Sequence, residues 1–411
     1  MLDFSDRIGS DAFAQLARHP DSPNAFTRSR KLPLPALIAS LLTMRGQSQQ
    51  VMLDSFFGTV CGADGLHRGI SDRGFARARN GLHAPALTGL NDFVVQRADA
   101  AGIVQRWRGL RVVAADASVL MPAVRACHLA RSAASADQRL FALFLPGAEL
   151  VLHAAAYGCE GAERQMLVEA LELLGPDDVL VLDRGYPAAW LVALLCERGV
   201  RFCMRCDNNS GWSAQAKFMR SGALEAWVTL KPPSAVDAAV WGCSRNPPRV
   251  RLVRQVAPSG AVRVLATNLD EQAVPAHAFA DLYHQRWRIE EAFKRLKHRM
   301  KLECVSGLSQ HALLVDVAAK VLADNLASLL CLAASQQADL PAASRRCNRA
   351  YAAALVQRAL PRLVLIIGDF FANLANVLQL LGANSQRFIP GRSRPRPANP
   401  IKPHPSTVYK G

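Results

Sequence analysis

The sequence has few acidic residues for its length. Its 411 residues include 33 Asp and Glu against 49 Lys and Arg, which gives a formal charge of +16. Half of the residues are hydrophobic, so the chain has enough apolar side chains for a folded core and is not a disordered tail. The positive charge favours a polyanionic partner, with nucleic acid as the first candidate and a ribosome or an acidic membrane as alternatives.

Targeting and membrane signals are also lacking. The N-terminal residues MLDFSDRIGSDAFAQLARHP do not show the basic and then apolar segments of a secretory signal, so we expect a cytoplasmic protein without a membrane partner. The apolar stretch HALLVDVAAKVLADNLASLLCLAA is interrupted by Asp316, Lys320 and Asp324, and RLVLIIGDFFANLANVLQLL is interrupted by one aspartate and two asparagines. Both stretches predict amphipathic core helices rather than membrane spans.

The ten cysteines lack the spacing of a zinc finger. Cys203 and Cys206 form a CxxC pair, but no second pair and no His-rich tract follows them at finger spacing. Because the cysteines are unclustered and no export signal is present, we expect reduced thiols in ordinary strands and turns.

The pattern along the chain predicts an α/β protein with helical ends and no internal repeat. The runs LRVVAADASVLMP, RLFALFLP, ELVLHAAAYG and DDVLVLDRGY are strand-like and alternate with helical stretches, which indicates helices packed on a mixed sheet. Turn residues, prolines and alternating Val and Arg then indicate an inserted β-rich segment. The predicted regions are 1–105, helical; 106–206, α/β; 207–264, β-rich insertion; 265–335, resumed α/β; and 336–411, helical with a basic Pro/Arg-rich tail.

Two helices are predicted in the N-terminal region. LPALIASLLTM predicts an apolar helix, and ISDRGFARARNGL predicts a short one with Ser71 as its N-cap. Arg73 and Arg77 lie on the short helix. Their placement fits a helix that enters a DNA groove, and it also fits a solvated helix face. We keep DNA contact by these two arginines as a prediction because of the overall charge.

Two predicted strands each deliver an aspartate to their carboxyl ends. Asp116 follows VVAA and Asp183 follows VLVL, and a polar or glycine-containing turn opens after each. Such residues often serve the turn alone. If the two strands belong to one sheet, however, their carboxylates lie near each other at its edge.

A third acid is predicted on the helix in LYHQRWRIEEAFKRLKHRM. Four of its residues have spacings of three, four and seven, so at about 100° per residue they fall within roughly a 60° arc. They are Tyr283, Arg286, Glu290 and Lys297. A surface helix stabilised by i,i+4 charge pairs is the alternative interpretation, and the pair of Glu290 with Lys294 has that spacing.

Three carboxylates are suited to hard divalent cations. Two Mg²⁺ ions about 4 Å apart can activate a water or a 3′-hydroxyl and stabilise the leaving oxygen of a phosphodiester. Asp116, Asp183 and Glu290 would be the metal ligands, and flanking arginine and lysine side chains would position phosphates.

At these residues the sequence resembles a known family. The pattern Y-x2-R-x3-E-x6-K is similar to the YREK signature of the DDE transposases of insertion sequence family four. The block DRGYPAAWLVALLCERGVRFCMRCD resembles that family's region around the second catalytic Asp, and FTRSRKLPLPALIASLL resembles its N-terminal segment. The resemblance extends from about residue 26 to about residue 335. One departure is Ala117 after the first Asp, where many relatives have glycine.

The resemblance implies a fold and a reaction. Regions 106–206 and 265–335 would form a ribonuclease H-like core interrupted by the insertion, and region 1–105 would bind transposon ends. Cut-and-paste DNA transposition with two Mg²⁺ ions, for which Mn²⁺ can substitute, would proceed through a hairpin intermediate to strand transfer. All of these steps are in-line phosphodiester substitutions, so one two-metal site can serve them.

The resemblance also implies residue roles. Asp116, Asp183 and Glu290 would hold the metal ions, and the DNA contacts would come from Tyr283, Arg286, Lys297 and Arg184. Family members stack a flipped base on a tryptophan of the insertion, for which the candidates here are Trp212, Trp227 and Trp241. For each tryptophan a place in the core is the alternative.

The partners implied are double-stranded DNA, as terminal inverted repeats and as target, and a second copy of the chain in the DNA-bound complex. The protein would act in the bacterial cytoplasm, associated with the nucleoid. Two alternatives remain open: a related metal-dependent nuclease that cuts without joining, and a non-catalytic or domesticated DNA-binding relative. The second is expected to have lost an acid, whereas all three are present.

Overall fold

A computed structural model describes residues 1–28, 31–46, 48–122, 137–206, 211–256 and 260–389. Within these ranges the helices are α1 (Leu2–Gly9), α2 (Asp11–Leu16), α3 (Leu34–Leu41), α4 (Gln49–Cys61), α5 (Asp72–Asn80), α6 (Ala84–Ala100), α7 (Glu163–Glu169), α8 (Ala189–Glu197), α9 (Ser213–Ser221), α10 (Ala235–Trp241), α11 (Phe279–Gln285), α12 (Trp287–His298), α13 (Gln310–Gln337), α14 (Arg349–Val364) and α15 (Phe370–Ala383). The strands are β1 (Arg111–Leu120), β2 (Gln138–Leu145), β3 (Leu150–Gly158), β4 (Asp178–Leu182), β5 (Arg201–Arg205), β6 (Glu225–Thr229), β7 (Arg249–Val256), β8 (Val262–Thr267), β9 (Arg345–Cys347) and β10 (Ser385–Arg387). The Pro/Arg-rich tail predicted at the C-terminus lies outside the described residues.

The chain divides into two compact units. The first unit comprises residues 1–100, 120–138 and 294–411, and the second comprises residues 101–119 and 139–293. The first unit is mainly helical and the second contains the large sheet. Helix α12 begins in the second unit and ends in the first.

The second unit is built on a mixed sheet. Among the described residues it has eight strands in the order β3-β2-β1-β4-β5-β8-β7-β6. The β1–β4 and β4–β5 pairs are parallel, whereas β5, β8, β7 and β6 pair antiparallel in turn. Helices α7 and α8 precede and follow β4 in the chain, as parallel connections require. This sheet confirms the expected α/β fold with a mixed sheet and helices, and the ribonuclease H-like identity of the core stays a prediction.

The strands of the predicted β-rich insertion continue this sheet. β7 and β8 extend it from β5, and β6 forms its outer edge. The same segment also contains α9 and α10, each of which ends at a glycine in the left-handed conformation. The domain boundaries assigned from the sequence stay a prediction.

An ion pair marks the start of the central parallel strands. Arg111 and Asp178 are register partners, and the guanidinium donates to both carboxylate oxygens at 2.6 and 2.7 Å. The side chain of Arg111 is 13 % exposed and that of Asp178 is 2 % exposed. The strand residues that directly follow, 112–115 and 179–182, are apolar and buried, as expected for strands covered by helices.

One predicted strand end is wrong. β4 stops at Leu182, directly before Asp183, as expected, but β1 continues four residues beyond Asp116 to Leu120. The reason is that β1 has two neighbours. Its register with β4 ends at Ala114, and β2 lies on its other side.

The predicted single helix around Glu290 is interrupted, which corrects the sequence interpretation. α11 ends at Gln285 and α12 begins at Trp287, with Arg286 in a turn between them. The Arg286 amide donates to the Tyr283 carbonyl and the Ile289 amide to the Arg286 carbonyl, both at 3.2 Å. These bonds span three residues rather than four, so the chain is locally tightened although Arg286 keeps helical dihedral angles.

The first unit is organised around α13. This helix is long and apolar enough to cross a membrane by length and composition, but 78 % of its most apolar window is buried inside the structure, as in a core helix. The prediction of a core helix is therefore confirmed. Its charges do not form a solvent-exposed face, however, because Asp316, Lys320 and Asp324 are at most 2 % exposed.

Each of these buried charges has a partner. Asp324 accepts hydrogen bonds from Nε and Nη2 of Arg295, both at 2.8 Å. Asp316 accepts a hydrogen bond from the Ser306 hydroxyl at 2.8 Å. Lys320 donates to the Lys301 and Cys304 carbonyls, and burial lowers its pKa to about 8. Buried charges of this kind are tolerated because they are paired or hydrogen-bonded.

The two predicted N-terminal helices are confirmed as α3 and α5. Ser71 caps α5, and its hydroxyl accepts the Gly74 amide at 3.2 Å. Such a cap satisfies an amide that the first helical turn leaves without a partner.

Replacing Asp178 by Asn should destabilise the protein by about 3 kcal/mol, because it leaves the guanidinium of Arg111 buried against a neutral amide. The measurement is urea unfolding followed by circular dichroism, with Asp177→Asn at the adjacent exposed position as control. Equal stability of the two variants would show that the ion pair does not fix the strands.

A candidate active site of carboxylates around a buried arginine

The register of β1 and β4 brings Asp116 and Asp183 to the same level of the sheet. Ala114 pairs with Val181, Asp116 lies two residues further along β1, and Asp183 lies two residues after Val181, directly beyond the end of β4. Since side chains alternate between the faces of a sheet, both carboxylates project to one face from adjacent strands about 4.8 Å apart. The structure therefore brings these two predicted residues together.

The loop after β4 holds Asp183 in place. The Gly185 amide donates to its Oδ1 at 2.7 Å. A Cβ atom at Gly185 would lie 3.0 Å from that oxygen, so this tight turn favours glycine. Arg184, the predicted DNA contact in this loop, is exposed.

Arg286 links the first and third acids. Its Nη1 lies 3.7 Å from Oδ2 of Asp116, and its Nη2 donates to Oε1 of Glu290 at 2.8 Å. The residue is 5 % exposed and its guanidinium lies over the Trp287 ring at 4.9 Å. Its Nε atom is buried without a hydrogen-bond partner among the described residues. A single buried cation therefore neutralises two carboxylates that belong to different elements.

The start of α12 is fixed to the hairpin between β2 and β3. Arg288 donates through Nη1 to the Pro146 carbonyl at 3.0 Å, and the same nitrogen lies 3.8 Å from Glu149. This anchor lies two residues before Glu290, and all of these residues belong to the second unit. The position of Glu290 is therefore set by contacts with the sheet as well as by Arg286.

Burial dominates the electrostatics of Asp116. Desolvation raises the pKa of this carboxyl to about 7, Arg286 opposes the rise, and the neighbouring Asp183 adds to it. The attraction of Arg286 therefore offsets only part of the desolvation cost of the charged Asp116 carboxylate. A site of this kind favours the binding of a further cation.

The residues fit a divalent cation in their donor chemistry. Carboxylate oxygens are the ligands that hard cations prefer, and two carboxylates lie level on adjacent strands. Among the described residues no group of three His, Cys, Asp or Glu side chains is already arranged to hold a metal. Asp116 and Asp183 are the pair that would hold the cation first. Glu290 would join them on exchanging its bond to Arg286.

The predicted phosphate contacts of the signature helix are less accessible than expected. Tyr283 is 3 % exposed and packs in a cluster with Trp107, Val181 and Phe279, where burial raises the pKa of its hydroxyl to about 12. Lys297 lies in the first unit, and its Nζ is 3.7 Å from Oε1 of Glu303. Their roles in DNA contact stay predictions.

The N-terminal candidates lie on α5 of the first unit. Arg73 and Arg77 are exposed. Arg79 on the same helix is instead buried, and its Nη1 donates to the carbonyl and hydroxyl oxygens of Ser306. The exposed pair is therefore available for a phosphate backbone, and DNA contact there stays a prediction.

The three tryptophans differ in their surroundings. Trp241 stacks on Trp190 at 4.2 Å between ring centroids, and Trp227 donates to Glu271 at 2.7 Å and lies under the Arg249 guanidinium. Trp212 is half-buried directly before α9. Base stacking by one of these three tryptophans stays a prediction.

Three residues near the acids were missed by sequence reasoning. Arg164 donates to the Gly185 carbonyl at 2.9 Å and to the Pro187 carbonyl at 3.2 Å, which ties the start of α7 to the loop after Asp183. Its neighbour Glu163 has a pKa raised by burial and by the charge of Asp183.

The third missed residue is Tyr186. It is fully buried, and its hydroxyl has no hydrogen-bond partner among the described residues. Burial, followed by the charges of Glu163, Asp116 and Asp183, raises its pKa well above the usual value. The DRGY block contains Tyr186 and could have indicated it, whereas no sequence signal marks Glu163.

The CxxC pair is not arranged as a metal site. Cys203 lies in β5, Cys206 directly follows that strand, and both are buried. Burial raises the pKa of the Cys203 thiol, the opposite of what a metal-binding thiolate needs. The expectation of ordinary strand cysteines agrees with this environment.

Comparisons with known proteins match the region that contains these acids. A family model described as "Transposase DDE domain" matches residues 107–326. Among solved structures, the cryo-EM structure of the piggyBac transposase synaptic complex with hairpin DNA is similar at 11 % identity and a TM-score of 0.44, covering 95 % of this chain and 86 % of that chain. No curated protein matches.

Replacing Asp116 by Asn should raise the melting temperature by a few degrees at pH 8 in EDTA. The raised pKa of the folded-state carboxyl means that stability is lost as the pH rises from about 4 through about 7, and the amide carries no charge to desolvate. The gain should therefore shrink at pH 5.

The measurement is differential scanning calorimetry at both pH values, with the exposed Asp177→Asn as control. A gain that is the same at pH 5 and pH 8 would contradict the idea that desolvation of the charge dominates at Asp116.

Proposed function

This chain belongs to the family of transposases with a DDE domain, and on that premise we propose that it is the DNA transposase of a bacterial insertion sequence. It binds the terminal inverted repeats of the element in the bacterial cytoplasm, cleaves them and transfers the freed ends to target DNA. The observation that carries the proposal is the set of three acids in the second unit: Asp116 on β1, Asp183 directly after the adjacent β4, and Glu290, which is joined to Asp116 through Arg286.

The proposed reaction is a series of in-line substitutions at phosphorus. Water frees a 3′-hydroxyl at the transposon end, and that hydroxyl attacks the opposite strand to give a hairpin. A second water reopens the hairpin, and the regenerated 3′-hydroxyl attacks target DNA. Bound divalent cations would supply Lewis-acid stabilisation of the attacking and leaving oxygens.

The carboxylates of this chain have distinct parts in that scheme. Asp116 and Asp183 would hold the cation from the sheet, and a bound cation would favour the charged form of Asp116, whose pKa burial raises in the cation-free protein. Glu290 would complete the site from α12. We propose two Mg²⁺ ions, which Mn²⁺ can replace.

Arg286 is proposed to change partners. In the cation-free protein its guanidinium neutralises Asp116 and Glu290. If those carboxylates instead served as metal ligands, the planar fork of the guanidinium would be free to bind a phosphate beside the cleaved bond. Arg286 would thus neutralise the acids in the cation-free protein and contact DNA in the cation-bound protein.

The net charge supports long DNA contacts away from the reacting bond. A charge of +16 steers the protein to duplex DNA, and the exposed Arg73 and Arg77 on α5 are proposed to contact the phosphates of the repeat. The active assembly is proposed to be a homodimer on paired ends, with the helices after residue 335 as the contact region.

Replacing Glu290 by Gln should abolish cleavage while DNA binding is retained, because the amide cannot supply a charged oxygen ligand. The assay incubates the purified protein and Mg²⁺ with a labelled duplex that carries the repeats flanking its gene. Its control is Glu291→Gln, at the adjacent exposed position, which should cleave like the wild type.

The products distinguish the alternatives. Hairpins and joined ends support the transposase. Cleaved ends that never join identify a related nuclease. Binding without cleavage by the wild type, in Mg²⁺ and in Mn²⁺, would leave a non-catalytic DNA-binding relative and sink the enzyme proposal.

Replacing both Arg73 and Arg77 by Ala should weaken binding to the repeat duplex and reduce the slope of log K against log [salt] by about two, one for each phosphate that the variant no longer neutralises. Fluorescence anisotropy over a range of salt concentrations measures the slope, and circular dichroism checks the fold. An unchanged slope would show that α5 does not contact the phosphate backbone.

A further inference from the structure

The residues that surround the acids include a fourth carboxylate, that of Glu163. It lies in the first turn of α7, the helix that follows β3 and precedes β4. The carboxylates of Asp116 and Asp183 both feel its charge. It belongs to the second unit, as they do.

A specific anchor holds Glu163 at that place. The adjacent Arg164 donates to the Gly185 carbonyl through Nε at 3.1 Å and Nη2 at 2.9 Å, and to the Pro187 carbonyl at 3.2 Å. These three bonds attach the start of α7 to the loop that begins with Asp183. The anchor therefore keeps Glu163 within the electrostatic influence of Asp183, although the two carboxylates have like charge.

Among the described residues, the cation paired with Glu163 neutralises it poorly. Arg139 on β2 lies 3.7 Å away, and both side chains are 35 % exposed. A half-buried pair at that distance, longer than a hydrogen bond, contributes little to stability. The placement of Glu163 is therefore not explained by its ion pair alone, and its exposure leaves it open to a ligand from solvent.

Tyr186 independently indicates a missing ligand. Its hydroxyl is fully buried, has no hydrogen-bond partner among the described residues, and feels the charge of Glu163 more than that of Asp116 or Asp183. A buried donor without a partner is unfavourable in the folded chain. This donor, which feels the charge of three carboxylates, would gain a partner if a bound cation drew one of their oxygens towards it.

We propose that Glu163 is a fourth acidic residue of the centre and binds the same divalent cation as Asp116 and Asp183, with the Tyr186 hydroxyl donating to the carboxylates that the cation organises. This inference rests on the proposed metal-dependent function and extends its ligand set beyond the three signature acids. Glu163 supplies an oxygen ligand of the type that Mg²⁺ and Mn²⁺ prefer.

The test is Mn²⁺ binding by the full chain without DNA, measured by isothermal titration and by the rise in melting temperature that MnCl₂ produces. Glu163→Gln should weaken Mn²⁺ binding about tenfold or more. In EDTA the same variant should melt at or above the wild-type temperature, because it removes like charge beside Asp183. Glu172→Gln, an exposed position further along the segment, is the matched control and should behave as the wild type.

The variants distinguish failure of the fourth-ligand proposal from failure of the proposed metal centre. Unchanged Mn²⁺ binding by Glu163→Gln, with binding abolished in Asp116→Asn, would overturn the fourth ligand and leave the proposed function standing. A lower melting temperature in EDTA with unchanged Mn²⁺ binding would reduce Glu163 to a partner of Arg139. No saturable Mn²⁺ binding by the wild type would overturn the metal centre and this inference together.

Discussion

The parallel register of β1 and β4 is the constraint on which the candidate site depends. At one end of the pair Arg111 meets its register partner Asp178, and two residues beyond the Ala114–Val181 pair the strands present Asp116 and Asp183. A slip of one residue would turn one carboxylate to the opposite face of the sheet, because the side-chain period of a strand is two. The ion pair and the active-site pair are therefore two ends of the same alignment. A buried, bidentate pair is well suited to this role, since its geometry admits few registers.

A second constraint follows from placing acids together. Three carboxylates from β1, β4 and α12 repel one another, and burial makes the charged form of Asp116 still less favourable. Arg286 offsets part of this by facing Asp116 and Glu290 at once, while aromatic rings of Tyr283 and Trp287 cover its guanidinium. The tightened turn between α11 and α12 also lies at Arg286, so the residue that interrupts the helix backbone is the one whose side chain pairs with the two acids. One arginine thereby joins the helix to the sheet electrostatically.

Much of this could be predicted from the sequence, and the remainder has a physical reason. Hydrophobic runs that end in aspartate indicated the central strands and the first two acids, and Ser71 indicated the start of α5, since these signals are local. The helical period showed that Tyr283 shares a face with Glu290, but a period does not tell which part of that face enters the core, where Tyr283 lies. The interruption at Arg286 and the placement of Glu163 depend on contacts with residues distant in the chain, such as Arg164 with Gly185. No local pattern records such contacts.

The site is arranged at some expense of stability. Three groups are unfavourable in the folded chain alone: the acid with a raised pKa, and the tyrosine hydroxyl and arginine Nε that have no hydrogen-bond partner in the part of the chain that the structure describes. The apolar central strands offset them, because Val112, Val113, Val179, Leu180 and Val181 are almost fully buried. A cation that binds the folded acids and not the unfolded chain would stabilise the fold by mass action. Stability and the proposed function would therefore be linked through the same carboxylates, because substitutions that remove a cation ligand would also relieve the like-charge repulsion of the cation-free site.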